Sequence, residues 1–307
     1  MEYKSRPFVS AIVPVFNDSE HLKICLEALE KQTYPKELYE IIVVDNGSSD
    51  REKVQSIVAR FRQAILTDES IPGSYAARNK GISLAKGEVI AFTDADCIPA
   101  PNWIEKGVNN LLKVPNCGQV VGKIDLFFKN PDRPTAVELY ESITAFPQEK
   151  LLKEYKGGAT ANVFTFKEVI ERVGAFDASL KSNGDLEWGA RVFAGGYVQI
   201  YADDVCVAHP ARYSLAQLYK RTIRLAAGSY QRQCKNVSSR LEKQKLFLDC
   251  LWRNMIPPLF FVFNAFRDSR LQGLNQKIQV SLIMFYVRYV SAWELCRLQL
   301  GATSARE

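Results

Sequence analysis

The chain has 307 residues, of which 47% are hydrophobic and 24% are charged, a globular composition that excludes disordered and fibrous classes. Its formal net charge of +6 is unevenly spread: residues 1–209 carry 24 basic and 29 acidic side chains (net −5), and residues 210–307 carry 16 basic and 5 acidic ones (net +11). A basic coat along the whole length, typical of a nucleic-acid binder, is therefore excluded, and we expect no nucleic-acid partner.

Strand-like and helix-like segments alternate over the first hundred residues. The predicted elements are a strand at Val9–Val15, a helix on Leu22, Cys25, Leu26 and Leu29 that Asp18 or Ser19 can cap, a strand at Ile41–Val44, a helical face from Val54 to Phe61, a short strand at Ala64–Thr67, a helix at Ser74–Lys86 ended by Gly87, and a strand at Val89–Thr93. This alternation predicts βαβ units and an α/β, doubly wound, mostly parallel sheet.

The pattern is mixed up to residue 209 and changes after Pro210. The predicted elements are a helix at Trp103–Leu112, strands at Val120–Ile124 and Asn162–Phe166, helices at Lys167–Val173 and Asp185–Ala194, a strand at Val198–Tyr201, a basic helix at Leu215–Cys234, a segment at Leu246–Phe266 interrupted by Pro257-Pro258, and an apolar helix at Gln276–Leu300 with a rough polar stripe. We predict a domain at residues 1–210, with a nucleotide-binding half at 1–98 and an acceptor half at 99–210, followed by an extension at 211–307.

Three polar segments follow predicted parallel strands. Because the carboxyl ends of such strands meet along one edge of a sheet, Pro14–Asn17, Asp45–Asp50 and Asp94–Asp96 should gather there. Asp94-x-Asp96 can hold Mg²⁺ or Mn²⁺ through carboxylate oxygens, or be a turn with two solvated acids. Asp45 can bind a base or a ribose hydroxyl, or be a turn residue.

Four further residues could take part in chemistry. Arg78, near the start of a helix, suits a diphosphate, although an exposed basic face is the alternative. Asp185 follows a flexible turn beside an aromatic residue and could be a general base, or an acid suited to a helix N-terminus, as could Glu187. His209 could ligate a metal or be an ordinary hydrogen-bonded histidine.

Other motifs are missing. The sequence has no G-x-G-x-x-G after a strand, no G-x-x-x-x-G-K-[ST] and no G-x-S-x-G, which weakens dehydrogenase, P-loop and α/β-hydrolase interpretations. The seven cysteines are scattered without a C-x-x-C pair, which indicates a reducing compartment. We recognise no targeting segment at the start of the chain and no uncharged apolar run of the ~20 residues that span a bilayer.

Six segments, in this order, resemble the family 2 glycosyltransferases, which have the GT-A fold. They are Val9–Asn17, Glu40–Asp50, Ala76–Gly81, Ile90–Asp96, Gly174–Asp177, and Asp185–Trp188 with Arg191. The resemblance covers roughly residues 8–210, and it is the combination of motifs that makes it specific.

The resemblance implies a donor-binding set and a metal set. The donor-binding residues would be Pro14, Val15, Phe16, Asn17, Asp45, Arg78, Asp94 and Asp96. Asp94 and Asp96 would be the D-x-D motif that binds a divalent cation, Mn²⁺ or Mg²⁺, with His209 similar in position to a third ligand. The cation neutralises the leaving nucleoside diphosphate.

The resemblance also implies an inverting single displacement in which Asp185 is the catalytic base. Glu187 and Trp188 would lie on the acceptor side. The chain departs from the family at one point, since Gly184-Asp185 stands where a Glu-Asp pair is common. The donor would be a nucleotide sugar, with UDP favoured, and the acceptor a carbohydrate or a lipid-linked saccharide, as in polysaccharide or glycolipid assembly.

The C-terminal hundred residues carry no such motif. Asn254–Phe266 has no charged side chain, and it lies between a basic helix and an apolar helix. This pattern predicts that the extension attaches to a membrane surface. A helical subdomain that packs on protein is the alternative. We therefore expect a cytoplasmic enzyme held peripherally at the cytoplasmic face of a membrane. A non-catalytic nucleotide-binding scaffold and a nucleotidyltransferase are competing interpretations of the chain.

Overall fold

The computed structural model describes residues 6–235 and 237–302, so the first five residues, in which we recognise no targeting segment, lie outside the described residues. Two compact units make up the chain. The first contains the residues up to Asp125 together with Phe146–Ser179 and Gly184–His209. The second contains Leu126–Ala145, Leu180–Asn183 and the residues from Pro210 onward. The functional division predicted at residue 210 stays a prediction.

Strands and helices alternate along much of the chain, and a run of helices follows the last strand. The strands are β1 (Val9–Val15), β2 (Tyr39–Asp45), β3 (Ala64–Asp68), β4 (Val89–Thr93), β5 (Ile98–Pro99), β6 (Cys117–Phe127), β7 (Asn162–Phe166) and β8 (Val198–Pro210). The helices are α1 (Ser19–Glu30), α2 (Arg51–Val58), α3 (Ser74–Leu84), α4 (Trp103–Lys113), α5 (Ala136–Thr144), α6 (Gln148–Tyr155), α7 (Lys167–Val173), α8 (Gly184–Ala194), α9 (Leu215–Lys235), α10 (Arg240–Met255), α11 (Leu259–Arg267) and α12 (Gly273–Gln299).

The strands of the described residues form one eight-stranded sheet in the order β3-β2-β1-β4-β7-β6-β8-β5. Its first half is parallel, because β2 pairs in parallel with β3 and β1, and β1 with β4. From β7 onward the pairing is antiparallel, between β4 and β7, β6 and β7, and β5 and β8. The α/β sheet predicted from the alternating periods is confirmed.

In the first unit, helices pack on the sheet through apolar side chains, and α1 and α3 are examples. The four side chains predicted to form the inner face of α1 are all fully buried: Leu22, Cys25, Leu26 and Leu29. Burial of one such leucine stabilises the fold by about 1.5–3 kcal/mol. On the other side α3 lies so close to β1 that a Cβ on Gly81 would be 2.5 Å from Ile12 Cγ2. That close approach fixes the height of α3 above the sheet.

One local prediction is wrong, and a second is confirmed in position only. Gly87 does not end the third helix, since α3 stops at Leu84; instead a Cβ at Gly87 would lie 2.5 Å from Ser10 N, so glycine is required by the tight entry into β4. Asp18 is the N-cap of α1, but its side chain makes no capping hydrogen bond. Its Oδ1 lies 2.6 Å from His21 Nδ1, and that interaction replaces the cap.

The second unit is helical, with a core formed by residues of α5, α9, α11 and α12. No single helix within the described ranges, 6–235 and 237–302, has the length and apolar character to cross a bilayer, whereas α10 and α11 together do across a bend of 43°. Helices α10, α11 and α12 expose many apolar side chains: Leu248, Trp252, Met255, Leu259, Phe260, Phe263, Leu274, Ile278, Leu282, Tyr289 and Trp293.

The polar stripe predicted on α12 does not face water throughout. Ser281 and Glu294 from that stripe are buried, and Glu294 is fully so. Leu274, Ile278 and Leu282 recur every four residues and are exposed, so they form one apolar stripe along the outside of the helix. The helix therefore turns part of its polar side inward and part of its apolar side outward.

Candidate active site

The polar segments that follow β1, β2 and β4 meet at one edge of the sheet, as the topology predicts. Val15 pairs with Asp45 across β1 and β2, and Ile12 pairs with Phe92 across β1 and β4. Asp94 follows two residues after Phe92 and so lies level with the end of β1. This juxtaposition gathers the predicted donor-binding residues of three strands.

The loops after β1 and β2 are joined by hydrogen bonds through the donor-binding candidate Asn17. Its backbone has φ 51°, a left-handed conformation that asparagine tolerates. Asn17 N–H donates to Ser48 Oγ at 2.8 Å, and Ser49 N–H donates to Asn17 Oδ1 at 2.8 Å. The preceding residues Pro14 and Phe16 are partly buried, and Val15 is buried. The two loops thus form one rigid rim at the sheet edge.

Asp45 ends β2 with its side chain buried beneath this rim. Ser48 N–H donates to Asp45 Oδ1 at 3.0 Å, which is the turn role considered for this residue. Asp45 Oδ2 is buried and accepts no hydrogen bond from the described residues, and Arg51 Nε lies 3.5 Å away. One carboxylate oxygen is therefore used by the turn, and the other has acceptor capacity left.

Arg78 connects α3 to the D-x-D segment. Its side chain is 4% exposed, and Nη2 donates to Asp94 Oδ1. The guanidinium also lies 5.7 Å from the centre of the Tyr75 ring. Arg78 is thus a buried cation beside the sheet edge, and Asp94 is its carboxylate partner.

Asp96, the second acid of the D-x-D segment, lies beside His209. Asp96 Oδ2 is 3.3 Å from His209 Nε2, and His209 packs against the Phe146 ring at 4.7 Å. The potential ligand atoms of Asp96, Cys97 and His209 lie within 4.8 Å of one another. A carboxylate and an imidazole at this separation could both coordinate a divalent cation such as Mn²⁺. The side chain of Asp96 is 30% exposed, so a cation could reach it from solvent.

Asp185 is the second residue of α8 and is partly buried. Leu186 N–H donates to its Oδ1 at 2.9 Å, and Tyr75 O–H donates to the same oxygen at 3.4 Å. Burial raises the pKa of Asp185, while Arg78 opposes that rise. The result is a carboxylate of enhanced basicity whose two hydrogen bonds from other described residues both end on Oδ1.

Glu187 and Trp188 are held by contacts inside the first unit. Glu187 accepts two hydrogen bonds from Arg191, at 2.8 and 3.0 Å. Trp188 is fully buried, and its Nε1–H donates to Gly174 O at 3.1 Å. Trp188 fastens α8 to the segment after α7, whereas Glu187 holds Arg191, whose guanidinium donates to carbonyls of that segment. The acceptor-side role of these two residues stays a prediction.

The sequence interpretation missed Tyr75 and the part played by Asn79. Asn79 Nδ2 donates to Phe176 O at 2.8 Å, and Phe176 N–H donates to Asn79 Oδ1 at 3.0 Å. Phe176 in turn stacks on Tyr75 with ring centres 5.7 Å apart. The motifs at 76–81 and 174–177 are therefore in direct contact, and neither motif by itself indicates the other as its partner.

Comparisons with known proteins agree on the family and the fold. The glycosyl transferase family 2 profile matches residues 10–174. The chain is 38% identical over 306 residues to glycosyltransferase AglE of Haloferax volcanii, which covers 96% of this chain and 94% of the relative. A second relative, from Methanococcus voltae, is 24% identical over 72% of both chains, and its name is dolichyl N-acetyl-α-D-glucosaminyl phosphate 3-β-D-2,3-diacetamido-2,3-dideoxy-β-D-glucuronosyltransferase.

Solved structures show the same fold at low identity. The mannosyltransferase PcManGT of Pyrobaculum calidifontis, in complex with GDP-Man and Mn²⁺, aligns with TM-score 0.64 and 18% identity over 98% of this chain and 89% of that one. GalNAc-T7 with UDP, GalNAc and Mn²⁺ aligns with TM-score 0.54 and 20% identity over 67% of this chain and 43% of that one.

Proposed function

Because this chain belongs to glycosyltransferase family 2, we propose that it moves a sugar from a nucleoside-diphosphate donor to an acceptor hydroxyl with inversion at the anomeric carbon. That it is a glycosyltransferase of the GT-A fold follows from the family and the structural neighbours. The observation that best supports the mechanism is Asp185, a partly buried carboxylate with a raised pKa and with Oδ1 already engaged.

In the proposed step Asp185 Oδ2 takes the proton of the acceptor hydroxyl as that oxygen bonds to the anomeric carbon. The bond between this carbon and the donor phosphate oxygen breaks on the opposite face, so one displacement inverts the configuration. The raised pKa of Asp185 makes it a stronger base than a solvated aspartate. Arg78 opposes that rise and so favours the ionised form of the carboxylate.

The donor would lie along the rim formed by the segment Pro14–Asn17 and Asp45. Asp45 would accept from a ribose or base group with its remaining oxygen, and Arg78 would meet the diphosphate. Asp94, Asp96 and His209 would hold a divalent cation, Mn²⁺ or Mg²⁺, which when bound neutralises charge on the departing diphosphate. We propose a UDP-sugar as the donor; the fold neighbours contain GDP-Man in one case and UDP in the other, so the assay includes both bases.

The first test measures donor turnover and product with Mn²⁺ over a panel of UDP- and GDP-sugars. Asp185→Asn should lower kcat by about 10²–10⁴-fold, the usual contribution of a general base. Asp96→Ala should abolish stimulation by the cation, and Asp203→Asn, on an exposed acid of β8, is the matched control. Unchanged turnover in both site variants would refute the mechanism, and nucleotide binding without transfer or hydrolysis would favour the scaffold alternative.

We further propose a lipid-linked saccharide as acceptor and a peripheral position on the cytoplasmic face of a membrane. Residues 210–307 carry net +11, which attracts anionic lipid by about 1 kcal/mol per basic residue near the surface. The exposed apolar residues of α10 to α12 would enter the interfacial region. The Methanococcus voltae relative, whose name contains a dolichyl-linked sugar phosphate, supports this acceptor class.

Vesicle flotation tests the membrane proposal. Phe260 and Phe263 on α11 are 80% and 57% exposed, so changing both to Glu should release the full chain from phosphatidylglycerol vesicles without disturbing its packing. The matched control changes Ile24 and Ile71, 44% and 58% exposed in the first unit, to Glu, which alters the charge equally. Equal flotation of both variants, or a wild-type chain that does not float at moderate salt, would contradict the proposal and indicate a helical subdomain that packs on protein.

A further inference from the structure

Gly184 stands where the family commonly has the glutamate of a Glu-Asp pair, and the structure shows what occupies that space. A Cβ built on Gly184 would lie 2.8–3.0 Å from three atoms of the Tyr75 ring. Such a distance is shorter than a carbon–carbon contact allows, so a glutamate cannot stand at position 184 while Tyr75 keeps its place. The glycine and the tyrosine are therefore linked by geometry.

The Tyr75 hydroxyl makes two polar contacts at the place where the glutamate side chain of a Glu-Asp pair would lie. It accepts a hydrogen bond from Gly184 N–H at 2.9 Å, which fixes the first residue of α8. It also donates to Asp185 Oδ1 at 3.4 Å. Together with Leu186 N–H, which donates to Oδ1 at 2.9 Å, this hydroxyl leaves Oδ2 as the carboxylate oxygen without a hydrogen bond from another described residue.

Tyr75 is itself rigidly placed. Its side chain lies in the first turn of α3 and is 5% exposed. One side of the ring stacks on Phe176, with centres 5.7 Å apart, and Arg78 lies 5.7 Å from the ring centre. Two hydrogen bonds between Asn79 and the backbone of Phe176 hold that aromatic neighbour. A hydroxyl on such a support has few alternative positions, which is the condition for orienting a second group.

We infer that Tyr75 is a positioning residue for Asp185 and takes the place of the acidic partner that Gly184 lacks. Its hydroxyl holds the start of α8 and occupies Oδ1, so that Oδ2 is the oxygen presented to an acceptor hydroxyl. Two negative charges side by side would raise each other's pKa, whereas a neutral phenol stabilises the single carboxylate without adding charge. The inference rests on the proposed role of Asp185 as base.

The decisive variant is Tyr75→Phe, which keeps the ring and removes the hydroxyl. We expect kcat to fall about tenfold, the order associated with a hydrogen bond to a charged group, while the KM for the donor stays within about twofold. Tyr34→Phe is the matched control, because Tyr34 is a buried tyrosine of the same unit whose hydroxyl donates to Pro7 O at 2.7 Å. It should lower stability by a similar amount and leave kcat at the wild-type value.

A second variant, Gly184→Ala, displaces the ring by its Cβ and should cause the same loss of kcat even if Tyr75→Phe folds poorly. Both changes act on the same hydroxyl. The fold-loss of kcat in the double variant should therefore be smaller than the product of the fold-losses in the two single variants. Wild-type kcat in Tyr75→Phe, with Asp185→Asn inactive, would overturn this inference and leave the proposed function intact. Wild-type activity in Asp185→Asn would instead overturn the proposed function itself.

Discussion

A substitution at Glu187 can distinguish a structural role of this residue from its predicted contact with the acceptor. The perturbation is Glu187→Ala on α8. It removes the two hydrogen bonds that Arg191 donates to the carboxylate, at 2.8 and 3.0 Å, and leaves Arg191 bound to backbone carbonyls of the segment after α7. If the side chain only supports that segment, stability should fall and acceptor binding should not.

The magnitude follows from the exposure and the number of bonds. Glu187 and Arg191 are each about a third exposed, at 30% and 31%, so solvent screening limits the bidentate pair to about 1 kcal/mol. Arg191→Ala removes in addition its donors to the carbonyls of Gly174 and Ala175, at 3.0 and 2.7 Å, which adds about 1 kcal/mol for each. The expected order of stability is thus wild type, Glu187→Ala, Arg191→Ala.

Urea unfolding gives the free energies, and hydrogen exchange of the α8 amides reports the local effect. Acceptor and donor KM are measured on the same preparations, with Glu168→Ala as the control, since that exposed acid on α7 pairs with Arg172 at 3.8 Å. The expected result is unchanged acceptor KM in Glu187→Ala. An acceptor KM raised tenfold with an unchanged free energy of unfolding would refute the structural role and establish the acceptor contact.

Two further predictions concern buried charges. Arg78→Met removes the cation that opposes the rise of the Asp185 pKa, so that pKa should climb further and the acid limb of the kcat/KM profile should move to higher pH, which a pH–rate series measures. The sign for stability follows: a carboxyl whose folded pKa exceeds its unfolded value binds more protons when folded, so the variant's stability should fall as the pH rises between the two values. Glu141→Gln in the second unit should lower the free energy of unfolding by about 3–5 kcal/mol, because the fully buried Glu141 accepts from Arg212 N–H at 3.0 Å and lies 3.6 Å from Arg221 Nε. A decrease below about 1 kcal/mol in urea unfolding would contradict this prediction.

Short apolar runs with turn residues on both sides were enough to predict several strands. Val9–Val15 and Val89–Thr93 have the predicted bounds in the structure, and both are buried on both faces. Parallel pairing of such strands then requires their carboxyl ends to meet, which is why Asp45 and Asp94 could be assigned to one edge without any structure. For these strands, local composition predicts the bounds, and parallel topology predicts which residues share an edge of the sheet.

Contacts between distant segments could not be predicted in this way. Tyr75 and Asp185 are 110 residues apart, and neither flanking sequence indicates which residue of α3 reaches α8. Trp188 shows the same limit, since an aromatic residue beside a candidate base suggests an open site, whereas the residue is fully buried against Phe176 at 5.3 Å. Helical periodicity assigns residues to a face and leaves open what that face meets.

The departure at Gly184 shows how such a contact can still be inferred once the fold is known. A glycine in the first position of α8 costs helix stability relative to alanine, and its φ is not in the left-handed region that would require glycine. A steric reason for glycine is present, because the Tyr75 ring lies where a Cβ at position 184 would be. A missing side chain is thus informative about its neighbour.

Helix α12 of the second unit buries a polar side chain and exposes apolar ones. Its fully buried Glu294 and its exposed Leu282 and Trp293, at 62% and 59%, are the opposite of what water favours. A partner protein could cover such an apolar stripe, but it would then also have to accommodate the surplus of basic residues in this part of the chain, net +11. An anionic lipid surface offers an apolar layer beneath a negatively charged one, and so matches both features at once. This complementarity favours membrane attachment over packing on protein, and vesicles of neutral lipid should accordingly retain less of the chain than anionic ones.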